Sequence, residues 1–175
     1  MNAVTPDQAA FLLQFELPSL NHEHRTTSNV IRAIPSSATE YRPDPLSKTA
    51  LELAWHIAAT EQRFLSAIAA GAFDFSPLPR PESVKNSADI ADWYDKSFET
   101  NFQKLTALSP EQATKILDFR GLFQLPAVAF IRAASSHTIH HRGQLSTHLR
   151  ALGGKVPAIY GESYDSAEAK KAATA

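Results

Sequence analysis

Cysteine is absent from this 175-residue chain. That removes disulfides, thiolate zinc sites and a cysteine nucleophile together. Glycine is scarce, with six residues, and the strict alternation that marks strands is almost missing. Apolar residues recur mostly at spacings of three and four, so the chain reads as all-α. No run approaches the ~18 uninterrupted apolar residues that a bilayer-spanning helix needs. The opening stretch "MNAVTPDQAAFLLQFELPSLNHEH" lacks both a basic start and a long apolar core, so no secretory signal is expected and a cytoplasmic location is. Positive charge is not in excess either: 17 Lys and Arg stand against 18 Asp and Glu, a formal net charge of -1. Nucleic acid and an anionic membrane surface are therefore poor candidates for partners. What remains is an ordinary globular composition, 43% apolar and 20% charged, in a length that suits one domain with a core.

The punctuation divides the chain into four main helices. The first runs from about Pro6 to Ile34, and Pro18 predicts either a kink or a break within it. The stretch "PSSATEYRPDPLSK" is a proline-rich loop. The second helix lies in "SKTALELAWHIAATEQRFLSAIAAG", with Ser47 as the expected N-cap and Gly71 as the stop. Prolines 77, 79 and 81 fall in "AFDFSPLPRPESVKNS", a connection too long for a tight helix–helix turn. The third helix, "SADIADWYDKSFETNFQKLTAL", is expected to be capped by Ser87. A short extra helix follows in "SPEQATKIL", capped by Ser109 with Pro110 at its first position. "DFRGLFQLP" reads as a connector. The fourth main helix spans about Pro126 to Leu152 and stops at Gly153-Gly154. "KVPAIYGESYD" reads as irregular. Residues 1–165 form one predicted bundle domain, and 166–175 a flexible tail, either disordered or a solvated helical turn.

Three of the seven histidines crowd into "HTIHHRGQL", residues 137–145. At about 100° per residue, His141 falls about 45° from the centre of the apolar stripe of the fourth helix and His137 about 85° on the same side. His140 falls about 150° away, nearly opposite. His137 and His141, four apart, can therefore grip one divalent metal from one helix face. A third ligand has to come from elsewhere, since open metal sites use about three protein ligands. The candidates are His56, His22 and His24. His56 is the best, because it sits mid-helix in "LELAWHIAAT"; His22 and His24, in "NHEHRTT", look solvated. The run carries no H-E-x-x-H glutamate, and no paired Glu-x-x-His motif of a di-iron bundle is present. A single metal on three histidines is the surviving metal architecture. Gln144 lies near the His137 face and is a candidate for orienting a bound ligand or anion. Arg142 is placed to pair with a carboxylate between helices. Tyr160 reads as an anchor with a solvated hydroxyl, and Trp55 and Trp93 as core or interface.

The segments "YRPDPLSKTALELAWHIA", "HTIHHRGQL" and "KVPAIYG", in this order and spacing, resemble the DinB superfamily and the related YfiT-type proteins. The resemblance covers nearly the whole chain. It implies a four-helix bundle with an up-down-down-up path and a long crossover between the second and third helices. It implies a metal triad of one histidine from the second helix and two from H-x-x-x-H on the fourth, here His56, His137 and His141. A homodimer is also implied. Nickel, zinc and iron all suit three imidazoles with open positions. Some relatives are S-transferases that use a low-molecular-weight thiol such as bacillithiol or mycothiol, which implies a thiol cosubstrate and a small-molecule substrate. The alternative is a non-catalytic metal-binding bundle of a stress response.

Overall fold

Most of the helices begin where a side chain closes the first turn. In the computed structural model, which describes residues 4–36 and 40–174, α1 (Pro6–Arg32) is capped by Thr5, α2 (Ala50–Ala70) by Thr49, α3 (Ser87–Thr106) by Asn86 and α4 (Pro110–Ala113) by Ser109. All four are capping boxes, in which the third helical residue also bonds back to the cap, so two otherwise unpaired N–H groups are satisfied at each start. Two caps differ from the sequence expectation. Thr49 rather than Ser47 begins α2, because its hydroxyl reaches the Glu52 amide. Asn86 displaces Ser87, whose hydroxyl instead donates to the Ile34 carbonyl across the bundle. Gly71 ends α2 in the left-handed conformation, φ 74°, as a glycine stop should.

Pro18 neither breaks nor ends α1, which continues through it to Arg32. Pro18 is exposed, so the Gln14 carbonyl that loses a donor there can turn to water. Residues 37–39 of the proline-rich loop, and Ala175, lie outside the described residues.

The predicted connector after α4 is a β-hairpin instead. β1 (Ile116–Phe119) pairs antiparallel with β2 (Phe123–Pro126), with Phe119 opposite Phe123. Arg120 and Gly121 both have positive φ, 55° and 69°, and the Leu122 amide donates to the Phe119 carbonyl at 2.9 Å. Two left-handed central residues match the right-handed twist of paired strands. The hairpin also launches α5 (Ala129–Ala151), which has no side-chain cap: Ala127 and Val128 donate to the carbonyls of Lys115 and Ala113. The C-terminal stretch is helical too, as α6 (Tyr164–Thr174), with no buried residue.

α1 packs on α3 and α5, and α2 packs on the same two helices. Together they are the all-α bundle expected from the periodicity. Two apolar clusters fill it. One gathers Leu13, Leu20, Leu65, Phe130 and Ile131; the other Val30, Ile31, Ile57, Ile90 and Leu149. Each such side chain contributes about 1.5–3 kcal/mol on burial. Among the described residues, no helix is long and apolar enough to cross a membrane.

Pro18 gives a direct test of the continuous α1. A helix-interior proline is about 3 kcal/mol less favourable than alanine. Pro18→Ala is expected to raise the unfolding free energy by about 1–3 kcal/mol, the lower figure allowing for the greater freedom alanine gives the unfolded chain. Urea denaturation measures it.

Candidate metal centre

Three imidazoles meet between α2 and α5. His56 stands on the flank of α2 beside the buried Leu53, Ile57 and Glu61. His137 and His141 stand one turn apart on α5, beside the buried Ala134, Thr138 and Leu145. Nε2 of His56 lies 3.2 Å from Nε2 of His141 and 3.2 Å from Nε2 of His137. All three rings are half-buried, while His140 and His22 are exposed. The helix-face reading of the fourth helix thus places its histidines as observed.

Hydrogen bonding alone does not account for this arrangement. A neutral imidazole nitrogen offers one in-plane N–H or one lone pair, so Nε2 of His56 cannot serve two neighbours at 3.2 Å. A cation can. With metal–nitrogen bonds of about 2.05 Å, tetrahedral ligands sit about 3.3 Å apart and ligands at right angles about 2.9 Å. The observed separations fall between them, and among the described residues this is the group of three able to hold a metal ion.

Gln144 touches the cluster from outside. Its amide oxygen accepts from Nδ1 of His141 at 2.7 Å, and its amide nitrogen donates to Nε2 of His140 at 3.2 Å. With Nδ1 turned to Gln144, Nε2 of His141 is the atom that faces the His56 ring. Outer hydrogen bonds of this type fix the tautomer and orientation of metal-binding histidines. Burial, followed by the charge of neighbouring His141, holds His56 and His137 down from 6.5 to about 4. Both are therefore neutral, as metal ligands must be, throughout the physiological range.

Beneath the cluster lies a buried carboxylate. Glu61, 1% exposed, accepts from the Tyr94 hydroxyl at 2.7 Å, from Nδ1 of His24 at 2.9 Å and from the Thr138 hydroxyl at 3.0 Å. Burial, and then the charge of Glu61, pushes Tyr94 well above its ordinary range, so it stays a donor. His24 also donates from Nε2 to Asp95 at 3.1 Å and stacks on Phe98 at 3.7 Å. It is 4% exposed, which corrects the reading of it as solvated. Its charged neighbours in sequence point elsewhere, but Leu13, Leu20, His24, Thr27 and Ile31 form one buried stripe of α1. That spacing was the signal for His24.

Arg142 ties this layer to the end of the chain. Fully buried, it pairs with Glu23 at 2.7 Å and donates to the Tyr160 hydroxyl at 2.6 Å. The interhelical carboxylate expected for it is thus Glu23. Tyr160 is not an anchor with a solvated hydroxyl: the ring is exposed, and the hydroxyl is held between Arg142 and Glu23. Trp55 and Trp93 pack on each other, ring centroids 4.7 Å apart, at the edge of the second apolar cluster.

The sequence pattern of the DinB family matches residues 13–172. The chain belongs to the DinB family. It is 26% identical over 133 residues to YjoA of Bacillus subtilis (strain 168), covering 74% of this chain and 84% of that protein. The crystal structure of the DinB-like YjoA superposes with a TM-score of 0.70 at 22% identity, over 85% of this chain and 99% of the other. A DinB-like protein from Bacillus cereus ATCC 10987 gives 0.70 at 25% identity, over 83% and 95%. These likenesses establish the DinB fold for the scaffold on which the three histidines stand.

The depressed values of His56 and His137 predict an acid-sensitive metal-free DinB chain. Between about 4 and 6.5 the unfolded chain binds protons that the folded one refuses, so folding stability falls as pH drops through that window. Urea midpoints of the metal-free protein should decline from pH 7 to pH 4.5, and His56→Gln combined with His137→Gln should flatten the decline.

Proposed function

We propose that His56, His137 and His141 hold one divalent metal, nickel, zinc or iron, and that the chain is a metal-dependent S-transferase using a low-molecular-weight thiol cosubstrate such as bacillithiol or mycothiol. The observation that carries this reading is the approach of Nε2 of His137 and Nε2 of His141 to the same atom, Nε2 of His56, each at 3.2 Å, more than imidazole hydrogen bonding can satisfy. A cavity that reaches His56 supports an accessible position rather than a sealed structural site.

A metal bound there supplies a Lewis acid that lowers the pKa of a bound thiol toward neutrality. The chain contributes the rest. Gln144 holds His141 in the tautomer that presents Nε2. Glu61, through Thr138, fixes the turn of α5 that carries His137. In the transfer, the thiol loses its proton, its sulfur forms a bond to the carbon electrophile, and the leaving group departs with the bonding pair. The absence of cysteine is compatible with a sulfur that comes from the cosubstrate. A homodimer and a cytoplasmic location belong to the same reading, and the solution mass of the purified chain tests the first.

Elemental analysis of untagged protein, purified without a nickel column, is the primary test. Near-stoichiometric metal is expected in the wild type, and loss of at least nine-tenths of it in His56→Ala, about the lower end of the 10–100-fold changes that even outer residues of metal sites produce. Full metal content in that variant would overturn the assignment. The loaded protein should then consume thiol in a screen of thiols against electrophiles; a flat screen would leave a non-catalytic metal-binding bundle.

A further inference from the structure

The cavity beside His56 is about 420 Å³, a size that suits a small metabolite. Its wall is uneven in charge. Lys48, Arg63 and Arg120 line it against a single carboxylate, Glu52. That carboxylate is already engaged, accepting from the Thr49 amide at 2.7 Å with Arg42 at 3.8 Å.

The three cations differ in what occupies them. Arg63 builds the wall: its Nε and Nη2 donate to the carbonyls of Asp74 and Ser76 at 3.2 and 2.8 Å, pinning the loop that supplies Phe75, Pro77 and Leu78. Arg120 lies with its guanidinium carbon 4.5 Å from the centre of the Phe75 ring. Stacking of that kind leaves the N–H edge of the fork available for an oxyanion. Among the described residues neither Arg120 nor Lys48 forms an ion pair. The backbone at Arg120 adds a second observation. Its φ of 55° makes it the one non-glycine residue with positive φ among the described residues, at a turn position where asparagine or glycine would sit with less strain. The hairpin keeps an arginine where its own geometry favours a different residue, and the side chain lands on the rim of this cavity.

We propose that the cavity is an oxyanion-recognition subsite, in which Arg120 and Lys48 bind a carboxylate or phosphate on the small molecule whose other end reaches the histidines. Trp55, Pro77 and Leu78 provide the apolar surface for the body of that molecule. The inference rests on the reading of the histidines as the reactive end of the cavity, although the anion site itself can be measured with or without metal.

Isothermal titration with succinate, inorganic phosphate and the neutral succinamide tests it. Each is titrated into protein stripped on a chelating resin and into the same protein reloaded with zinc. At least one anion should bind saturably to both preparations and succinamide to neither; the tighter anion identifies the group recognised. Arg120→Asn, which suits the turn, should keep or raise Tm yet weaken the anion about tenfold or more, the loss expected for a charge-assisted hydrogen bond. Lys48→Gln should weaken it as well, and Lys104→Gln, remote on α3, should not. Anion binding seen only with zinc and unchanged in Arg120→Asn would overturn the proposal, as would no saturable binding in either preparation. Zinc uptake without anion binding defeats the subsite alone. Anion binding in a protein that takes up no zinc defeats the metal reading and leaves the subsite standing.

Discussion

All four long helices meet at one carboxylate. Glu61 projects from α2 and collects a donor from α1, α3 and α5 through His24, Tyr94 and Thr138. A buried carboxylate without partners is strongly unfavourable, and removing one partner leaves an acceptor that water cannot reach. The apolar surfaces on either side, rich in alanine, leucine and isoleucine, tolerate small slides of one helix along another. Three hydrogen bonds converging on two oxygen atoms do not. The layer therefore fixes the register of α5 against α2, on which the spacing of His56, His137 and His141 depends.

The same layer explains why the apolar core is divided. One cluster lies toward the hairpin and the other toward the proline-rich loop, and His24, Glu61, Thr138 and Arg142 are polar residues buried in the bundle that holds both. Arg142 and Glu23 repeat the logic of Glu61 with opposite charge at the centre, neutralising one another and drawing in Thr27 and Tyr160. Polar networks of this kind are favourable only when nearly every group is satisfied, and here the donors come from elements far apart in sequence.

That distance decides what could be read beforehand. The bundle was legible because helix periodicity is a local property, and so were the stop at Gly71 and the cap at Ser109. His137, His140 and His141 could be sorted by angle because all three share one helix. His24 looks solvated in the sequence because its immediate neighbours are charged, whereas its surroundings are set by residues 37 and 71 positions away. The hairpin reads as a connector in the sequence because four-residue strands carry too few alternations to register, and Arg-Gly is a weaker turn signal than Asn-Gly. The caps at Thr49 and Asn86 were displaced by one or two residues, where several polar side chains in a row compete for the same amides.

The separation of the histidines along the chain has a consequence for a sequence without cysteine. His56 and His137 are 81 residues apart, so an ion shared between them would close a loop that takes in the rest of α2, the proline-containing connection, α3, α4, the hairpin and the first part of α5. Closing a loop of that length removes a large part of the unfolded chain's freedom, the service that a disulfide renders in other small domains. Unlike a disulfide, such a link would form without an oxidant and release whenever the ion left. Its hold on the chain would follow the supply of free metal in the surroundings.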